Sequence, residues 1–119
     1  MTQETTNKSA ARLKRDLASI KDEVAKAHTM EPKMLYGATR IYVFREARQI
    51  AMYLCRRLTR GSYPDIALAF GKKNHCTVLH ACKVVETQRA VSHAFNNRVA
   101  TLLVRVQNRI AQEASAKTA

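Results

Sequence analysis

Apolar residues recur every three or four positions along most of the chain, which is the period of an α-helix with one buried face. The first such stretch predicts a helix over residues 9 to 28, and another predicts a last helix with apolar positions from 95 to 110. Between them, Pro32 is expected to start a short helix of one or two turns, and residues 37 to 43 are predicted to form a loop. The strongest pattern predicts a helix from residue 44 to 58.

The next segment carries the signals of two helices joined by a tight turn. Gly61 is predicted to cap the preceding helix, and SYPD at residues 62–65 has the form of a capping box. The helix that this box begins reaches Gly71 and two lysines after about two turns, and Asn74 is expected to cap the helix that follows. Two helices joined by a short glycine-containing turn are typical of a helix-turn-helix. The second helix is predicted to bury Val78, Ala81, Cys82 and Val85.

No strand signal or repeat occurs, so the pattern predicts an all-α fold of about six helices with a long first and a long last helix. A chain of 119 residues, 46% of them apolar, is long enough to bury one modest core. We therefore assign residues 13–112 to one domain, residues 1–12 to a flexible N-terminal segment and residues 113–119 to a flexible tail.

The charge of the chain points to the partner of the helix-turn-helix. There are 21 Lys and Arg against 9 Asp and Glu, a net charge of +12, and residues 33–90 hold eleven basic and three acidic residues. A field of this sign attracts polyanions such as nucleic acid. No apolar run approaches the roughly 20 residues that cross a bilayer, and the polar start lacks the apolar run of a signal peptide. The sequence predicts a cytoplasmic, nucleoid-associated protein without a membrane partner.

In a helix-turn-helix, the second helix enters the major groove of DNA with its N-terminal residues foremost. Small polar side chains and histidine can meet base edges there, while neighbouring lysines lie near the phosphates. The predicted contacts are Lys72 and Lys73 for phosphates, Asn74 at the cap, and His75, Cys76, Thr77, Leu79 and His80 in the groove.

Other chemistries are disfavoured by residue spacing. Cys55, Cys76 and Cys82 form an odd set without a CxxC pair, which argues against a disulfide framework and a zinc knuckle. A metal site that adds His75 and His80 is disfavoured because a helix turns these side chains to different faces. There is neither a catalytic set of Ser, His and acid in motif context nor a GxxxxGK[ST] phosphate loop. We predict no enzymatic activity, no cofactor and no metal.

Residues 44–86, FREARQIAMYLCRRLTRGSYPDIALAFGKKNHCTVLHACKVVE, resemble the C-terminal DNA-binding domain of the bacterial replication initiator DnaA. The likeness extends from about residue 16 to 108 without a gap. Its most specific part is the segment HCTVLHA, residues 75–81, which follows SYPDI, residues 62–66, at the spacing that the family has. The resemblance implies an all-α domain related to the Trp repressor, a recognition helix at 75–88 and double-stranded DNA as the partner.

The resemblance also implies a role for individual residues. In the family, an arginine at the position of Arg40 enters the minor groove, and residues at the positions of Arg48, Gln49 and Arg56 contact the DNA backbone. The family's reading group falls on residues 74 to 77, and Leu79 and His80 occupy positions near the groove.

This sequence departs from the family at two of these positions and at two others. Asn74 replaces an aspartate and Cys76 a threonine, while Glu46 and Ala47 replace an arginine and a proline. We expect Arg45 to offset the charge of Glu46 and to contact the DNA as well. The changes suggest a relaxed or shifted sequence preference.

The resulting prediction is sequence-specific binding to DnaA-box-like sites that regulates replication initiation or transcription without ATPase activity. The alternative is a protein-interaction module, or a dimeric architectural DNA binder, that docks on the initiator, another replication factor or a second copy of itself. Met1 and the tail beyond the resemblance favour a short natural protein over a fragment.

Overall fold

The structure, a computed structural model, describes residues 2–36 and 42–118, with side chains described over 10–36 and 42–115. Within these ranges the chain forms five α-helices, one turn of 3-10 helix and no strand. The all-α prediction is confirmed. The elements in chain order are α1 (Thr2–Ala27), the 3-10 turn (Pro32–Leu35), α2 (Tyr42–Leu58), α3 (Tyr63–Ala69), α4 (Cys76–Val91) and α5 (His93–Thr118).

Several helix ends differ from the predicted ones. α1 begins at Thr2 rather than at residue 9, because its first turns carry no apolar stripe that could reveal them. α2 begins at Tyr42, before the predicted start at Phe44, and the rest of the predicted loop, residues 37–41, lies outside the described residues. α5 extends to Thr118. The limits assigned to the domain stay a prediction.

α2 is the centre of the core. Six consecutive residues, Ile50 to Cys55, are buried, so this helix is surrounded on all sides. It contacts the 3-10 turn and each of the other four helices. The predicted faces of α4 and α5 are confirmed, with Ile110 half-buried at the end of the stripe. These buried faces consist of Val78, Ala81, Cys82 and Val85 on α4 and of Phe95, Val99, Leu102 and Val106 on α5.

A network of charges joins α1 to α5. Nitrogens of Arg109 lie 2.6 Å from an oxygen of Asp22, 3.1 Å from Glu23 and 3.4 Å from Glu113. The Ser19 hydroxyl donates to Glu113 at 2.7 Å. The hydrogen bond from Arg109 holds the pKa of Asp22 below its ordinary value, against a smaller opposing effect of burial. The network fixes the register of the two long helices. None of the described helices is long and apolar enough to span a membrane.

Gly61 does not cap α2 in the predicted way. Among the described glycines, Gly71 is the one with a positive φ, so Gly61 lacks the left-handed backbone of a glycine cap. Instead, the Thr59 hydroxyl donates to the Cys55 carbonyl at 2.6 Å and accepts the Gly61 amide at 3.1 Å. A Cβ at Gly61 would lie 3.3 Å from a methyl carbon of Leu13. Glycine therefore suits this position because the neighbouring side chains leave little room for a larger residue.

The start of α3 is the predicted capping box. The Ser62 hydroxyl accepts the Asp65 amide at 3.1 Å, and the Asp65 carboxylate accepts the Ser62 amide at 3.1 Å. Two amides that helix geometry leaves without partners are thereby satisfied. Since α3 has only seven residues, this cap is a large part of its local stability.

Ser62→Ala is expected to lower the free energy of unfolding by about 1 kcal/mol, because the Asp65 amide loses its acceptor. Urea denaturation followed by circular dichroism measures the change. Thr87→Ala, at an exposed position of α4, is the control and should change stability by less than about 0.5 kcal/mol. Equal values for the two variants would contradict the stabilising role of the cap.

Asp22→Asn is expected to destabilise the protein at neutral pH and to have a decreasing effect as the pH falls below about 4. The folded pKa of Asp22 is lowered, so its contribution is present above the unfolded pKa and is lost as the pH falls through the folded one. Urea denaturation at a series of pH values measures this. The exposed Glu86→Gln is the control, and a pH-independent effect of Asp22→Asn would contradict the assignment.

Candidate nucleic-acid interface

The turn between α3 and α4 is built by a glycine in the left-handed region. Gly71 has a φ of +70°, and its amide donates to the Leu68 carbonyl at 3.0 Å. The next amide, that of Lys72, donates to the Ala67 carbonyl at 2.8 Å. This pair of bonds is a Schellman motif, which ends a helix and reverses the chain. The predicted helix-turn-helix is thus confirmed, and the turn presents Lys73 to solvent.

Asn74 holds the first turn of α4. Its side-chain oxygen accepts the Cys76 amide at 2.9 Å, and its carbonyl accepts the Thr77 amide at 3.2 Å. Asn74 thus makes a capping hydrogen bond, as predicted, but the N-cap residue is His75, whose own side chain makes no such bond, and the helix begins at Cys76. α4 continues to Val91, beyond the recognition helix expected at 75–88.

The two faces of α4 have opposite exposure. Its apolar face packs in the core, so the residues at its start point outwards. Leu79 is 37% exposed, and Lys72 is half-buried at the edge of this surface. The structure therefore brings the predicted reading residues onto one accessible end of the domain. The exposed members are Lys73, Asn74, His75, Cys76, Thr77 and His80.

A groove of about 270 Å³ lies between α2 and α4. Three of the predicted DNA-contact residues line it. Arg45 and Gln49 line it from α2, and His80 lines it from α4. The guanidinium of Arg45 lies 5.7 Å from the ring centre of Tyr42, which supports the aliphatic stem. The remaining lining residues are Tyr42, Glu46, Val84 and Gln88.

Arg48 is buried rather than exposed, with 8% of its surface accessible. Its Nε donates to the Leu35 carbonyl at 3.0 Å, and one terminal nitrogen is buried without a hydrogen-bond partner in the described structure. Burial lowers the pKa of Arg48, and the charge of Arg45 adds to this effect. The pKa of Lys72 is also lowered, first by burial and then by Arg48. Burial and a neighbouring like charge therefore both disfavour the charged form at these two positions.

Arg56 and Arg40 complete the predicted set. Arg56 is exposed, donates to the Gly61 carbonyl at 3.1 Å and lies 4.2 Å from the ring centre of Tyr63. Its charge is therefore available at the start of α3, although the side chain also has a structural bond. Arg40 lies outside the described residues, so its predicted insertion into the minor groove stays a prediction.

Arg98, not Arg45, offsets the charge of Glu46. A guanidinium nitrogen of Arg98 on α5 lies 2.7 Å from a carboxylate oxygen of Glu46, whose side chain is 13% exposed. The expectation based on sequence neighbours was wrong because α5 folds back against the start of α2. No local signal reveals a partner that lies 52 positions away in the sequence.

The cysteines have ordinary structural environments. Cys55 and Cys82 are buried, and burial raises the pKa of both thiols, while Cys76 is exposed. All three are free thiols. The described residues contain no group of three or more His, Cys, Asp or Glu side chains that could hold a metal ion.

Known proteins share this arrangement. A family model described as the bacterial dnaA protein helix-turn-helix matches residues 17–85, more than half of the chain. The chromosomal replication initiator protein DnaA of Acinetobacter baylyi is 40% identical over 76 residues, which cover 64% of this chain and 16% of that protein. The same protein of Geotalea uraniireducens is 37% identical over 83 residues, which cover 70% of this chain and 18% of that protein.

A solved structure gives the same result in three dimensions. A crystal structure of a DNA replication initiation factor superposes with a TM-score of 0.82 at 31% identity, covering 90% of this chain and 33% of that one. The present chain spans less than a fifth of the length of the two curated relatives.

Arg48→Met is expected to keep the free energy of unfolding within about 1 kcal/mol of the original value, because removal of a desolvated charge offsets the lost bond to Leu35. Urea denaturation measures this, with the exposed Arg57→Met on the same helix as the control. A loss of about 3 kcal/mol or more would show instead that the buried guanidinium is fully paired.

Proposed function

The chain belongs to the family of bacterial DnaA helix-turn-helix domains, and on that premise we propose that it binds double-stranded DNA with the start of α4 in the major groove. The observation that carries the proposal is the exposed run from Lys73 to Thr77 at the beginning of a helix whose other face is fixed in the core. A rigid element that presents short polar side chains is what direct reading of base edges requires.

Contacts to the DNA backbone come from the cations around this run. Lys73 and Arg56 are exposed, and Arg45 borders the groove beside α4. Lys72 lies half-buried at the edge of the same surface, near the buried charge of Arg48, and a phosphate there would interact favourably with both. These residues position the protein without reading sequence.

Base reading is proposed for His75, Thr77 and His80, together with Asn74 and Cys76. Thr77 can meet a thymine methyl, and a histidine ring can donate to or accept from a base edge. Because residues 74 and 76 differ from the family's, we propose sites that resemble the DnaA box, with a shifted preference at the bases these two side chains face.

We propose that the protein acts by occupying such sites, which regulates replication initiation or transcription and associates it with the nucleoid. The relatives in the comparison are named as replication initiators, and this chain matches less than a fifth of their length. The sequence of 119 residues contains no GxxxxGK[ST] loop, so the proposed action is occupancy of DNA without ATP hydrolysis.

A protein-interaction role has less support. The apolar stripe of α5 would be a natural surface for a partner. Phe95, Val99, Leu102 and Val106 instead pack in the core. DNA binding is therefore the function that the geometry supports best.

His75→Ala is expected to weaken binding to the family's box, TTATCCACA, by about 1 to 3 kcal/mol, while binding to a scrambled duplex changes little. Lys73→Ala should weaken binding to both duplexes alike and reduce the slope of log K against log salt by about 1. Fluorescence anisotropy with labelled duplexes at about 150 mM salt, where non-specific binding is suppressed, measures both effects.

Each outcome of this experiment is informative. Equal losses on the two duplexes for His75→Ala would remove this residue from the reading group. Tight but equal binding of both duplexes by the unaltered protein would indicate that residues 74 and 76 have changed its specificity. Binding of neither duplex would overturn the proposed function.

A further inference from the structure

A lysine of α1 reaches across the domain to the end of α3. The ammonium group of Lys21 donates to the Ala69 carbonyl at 2.8 Å and to the Tyr36 hydroxyl. It also lies 4.7 Å from the ring centre of Tyr36 and 5.4 Å from that of Phe70. The two rings are tilted against each other with centres 6.5 Å apart. The ammonium is thus held by two oxygens and two aromatic faces.

The bond to Ala69 completes the C-terminal cap of α3. The last carbonyls of a helix have no partner within the helix. In α3, the amides of the Schellman motif satisfy the carbonyls of Ala67 and Leu68, and Lys21 satisfies that of Ala69. A positive charge at this end also interacts favourably with the helix dipole. The cap therefore depends on a side chain from another helix.

The same position controls the turn that leads to α4. Ala69 is the last residue of α3, and Gly71 follows with its positive φ, so any movement at this point changes the direction of the chain. Tyr36, whose hydroxyl accepts a hydrogen bond from the same ammonium, also lies close to the turn. A Cβ at Gly71 would lie 3.8 Å from its ring. α3 has seven residues and cannot hold its own end in place.

We propose that Lys21 is a positioning residue for DNA binding: it fixes the end of α3 and the Gly71 turn, and thereby the direction in which residues 73–77 meet the DNA. The inference rests on the proposed function, but it assigns a part to a side chain outside the reading surface. Two of the three N–H donors of the ammonium are used by protein oxygens, so in this proposal Lys21 acts through the turn and not by binding a phosphate.

Lys21→Met tests the proposal, because methionine keeps an apolar stem and removes the ammonium. Without DNA, the amides of Gly71 and Lys72 should exchange with solvent roughly tenfold faster, while the amide of Val106 in α5 is unchanged. With DNA, the Kd for the preferred duplex should rise about five- to tenfold, since a smaller fraction of molecules holds the binding-competent turn. The salt slope should stay that of the original protein.

Three further variants make the test specific. Lys14→Met removes the same charge from an exposed position of α1 and should leave both the exchange and the Kd within about twofold. Lys21→Arg should restore most of the affinity, because a guanidinium can donate to the carbonyl and stack on the rings. Tyr36→Phe removes one partner of the ammonium from a side chain that is 40% exposed, and should change the exchange in the same direction even if Lys21→Met does not fold.

The results separate this inference from the proposed function. Unchanged exchange at Gly71 and Lys72 in both Lys21→Met and Tyr36→Phe would overturn the positioning role. A salt slope reduced by about 1 in Lys21→Met would also overturn it, by showing a direct phosphate contact. If the original protein bound no duplex while exchange in the variants increased, the proposed function would fail and the attachment of the turn by Lys21 would stand.

Discussion

The burial of α2 on all sides is the constraint on which the rest of the domain depends. With six consecutive residues covered, α2 requires the 3-10 turn and every other helix as neighbours. α4 can therefore bury only one face, and its start is left open to solvent. The same enclosure explains Arg48, which lies just before the fully buried segment 50–55 and is itself shielded from water. The core and the candidate interface thus have a common cause.

The positive field at this interface depends on where the carboxylates lie. On the seam between α1 and α5, Asp22, Glu23 and Glu113 share ion pairs with Arg109, and Asp16 lies beside Arg12. The carboxylate of Glu46 binds Arg98, and that of Asp65 is used in the capping box. Consequently, few nearby carboxylates are left to pair with the cations of the turn and of α2. The acidic groups hold the scaffold together, and the basic groups remain to attract a polyanion.

The parts of this structure that sequence could predict are those with local signals. The capping box at Ser62, the turn at Gly71 and the capping bond of Asn74 each depend on residues within five positions, and all three were predictable. The bonds of Lys21 to Ala69 and of Glu46 to Arg98 join residues 48 and 52 positions apart. Such contacts depend on how whole helices pack against one another. The spacing of apolar residues along the sequence predicts the helices but not the way they pack. The burial of Arg48 was missed for the same reason.

Asn74 shows how a structural bond limits the chemistry of a reading residue. Its side-chain oxygen accepts the Cys76 amide, because a backbone N–H can be met only by an acceptor. The side-chain NH₂ remains available to a base as a donor, a role that an ionised aspartate cannot fill. An ionised aspartate, which the family has at this position, offers only acceptors and suits the amino groups of cytosine or adenine. A donor suits N7 and O6 of guanine or O4 of thymine. Within the proposed function, the departure at this position is therefore expected to shift the preferred base while the capping bond that holds the start of α4 is retained.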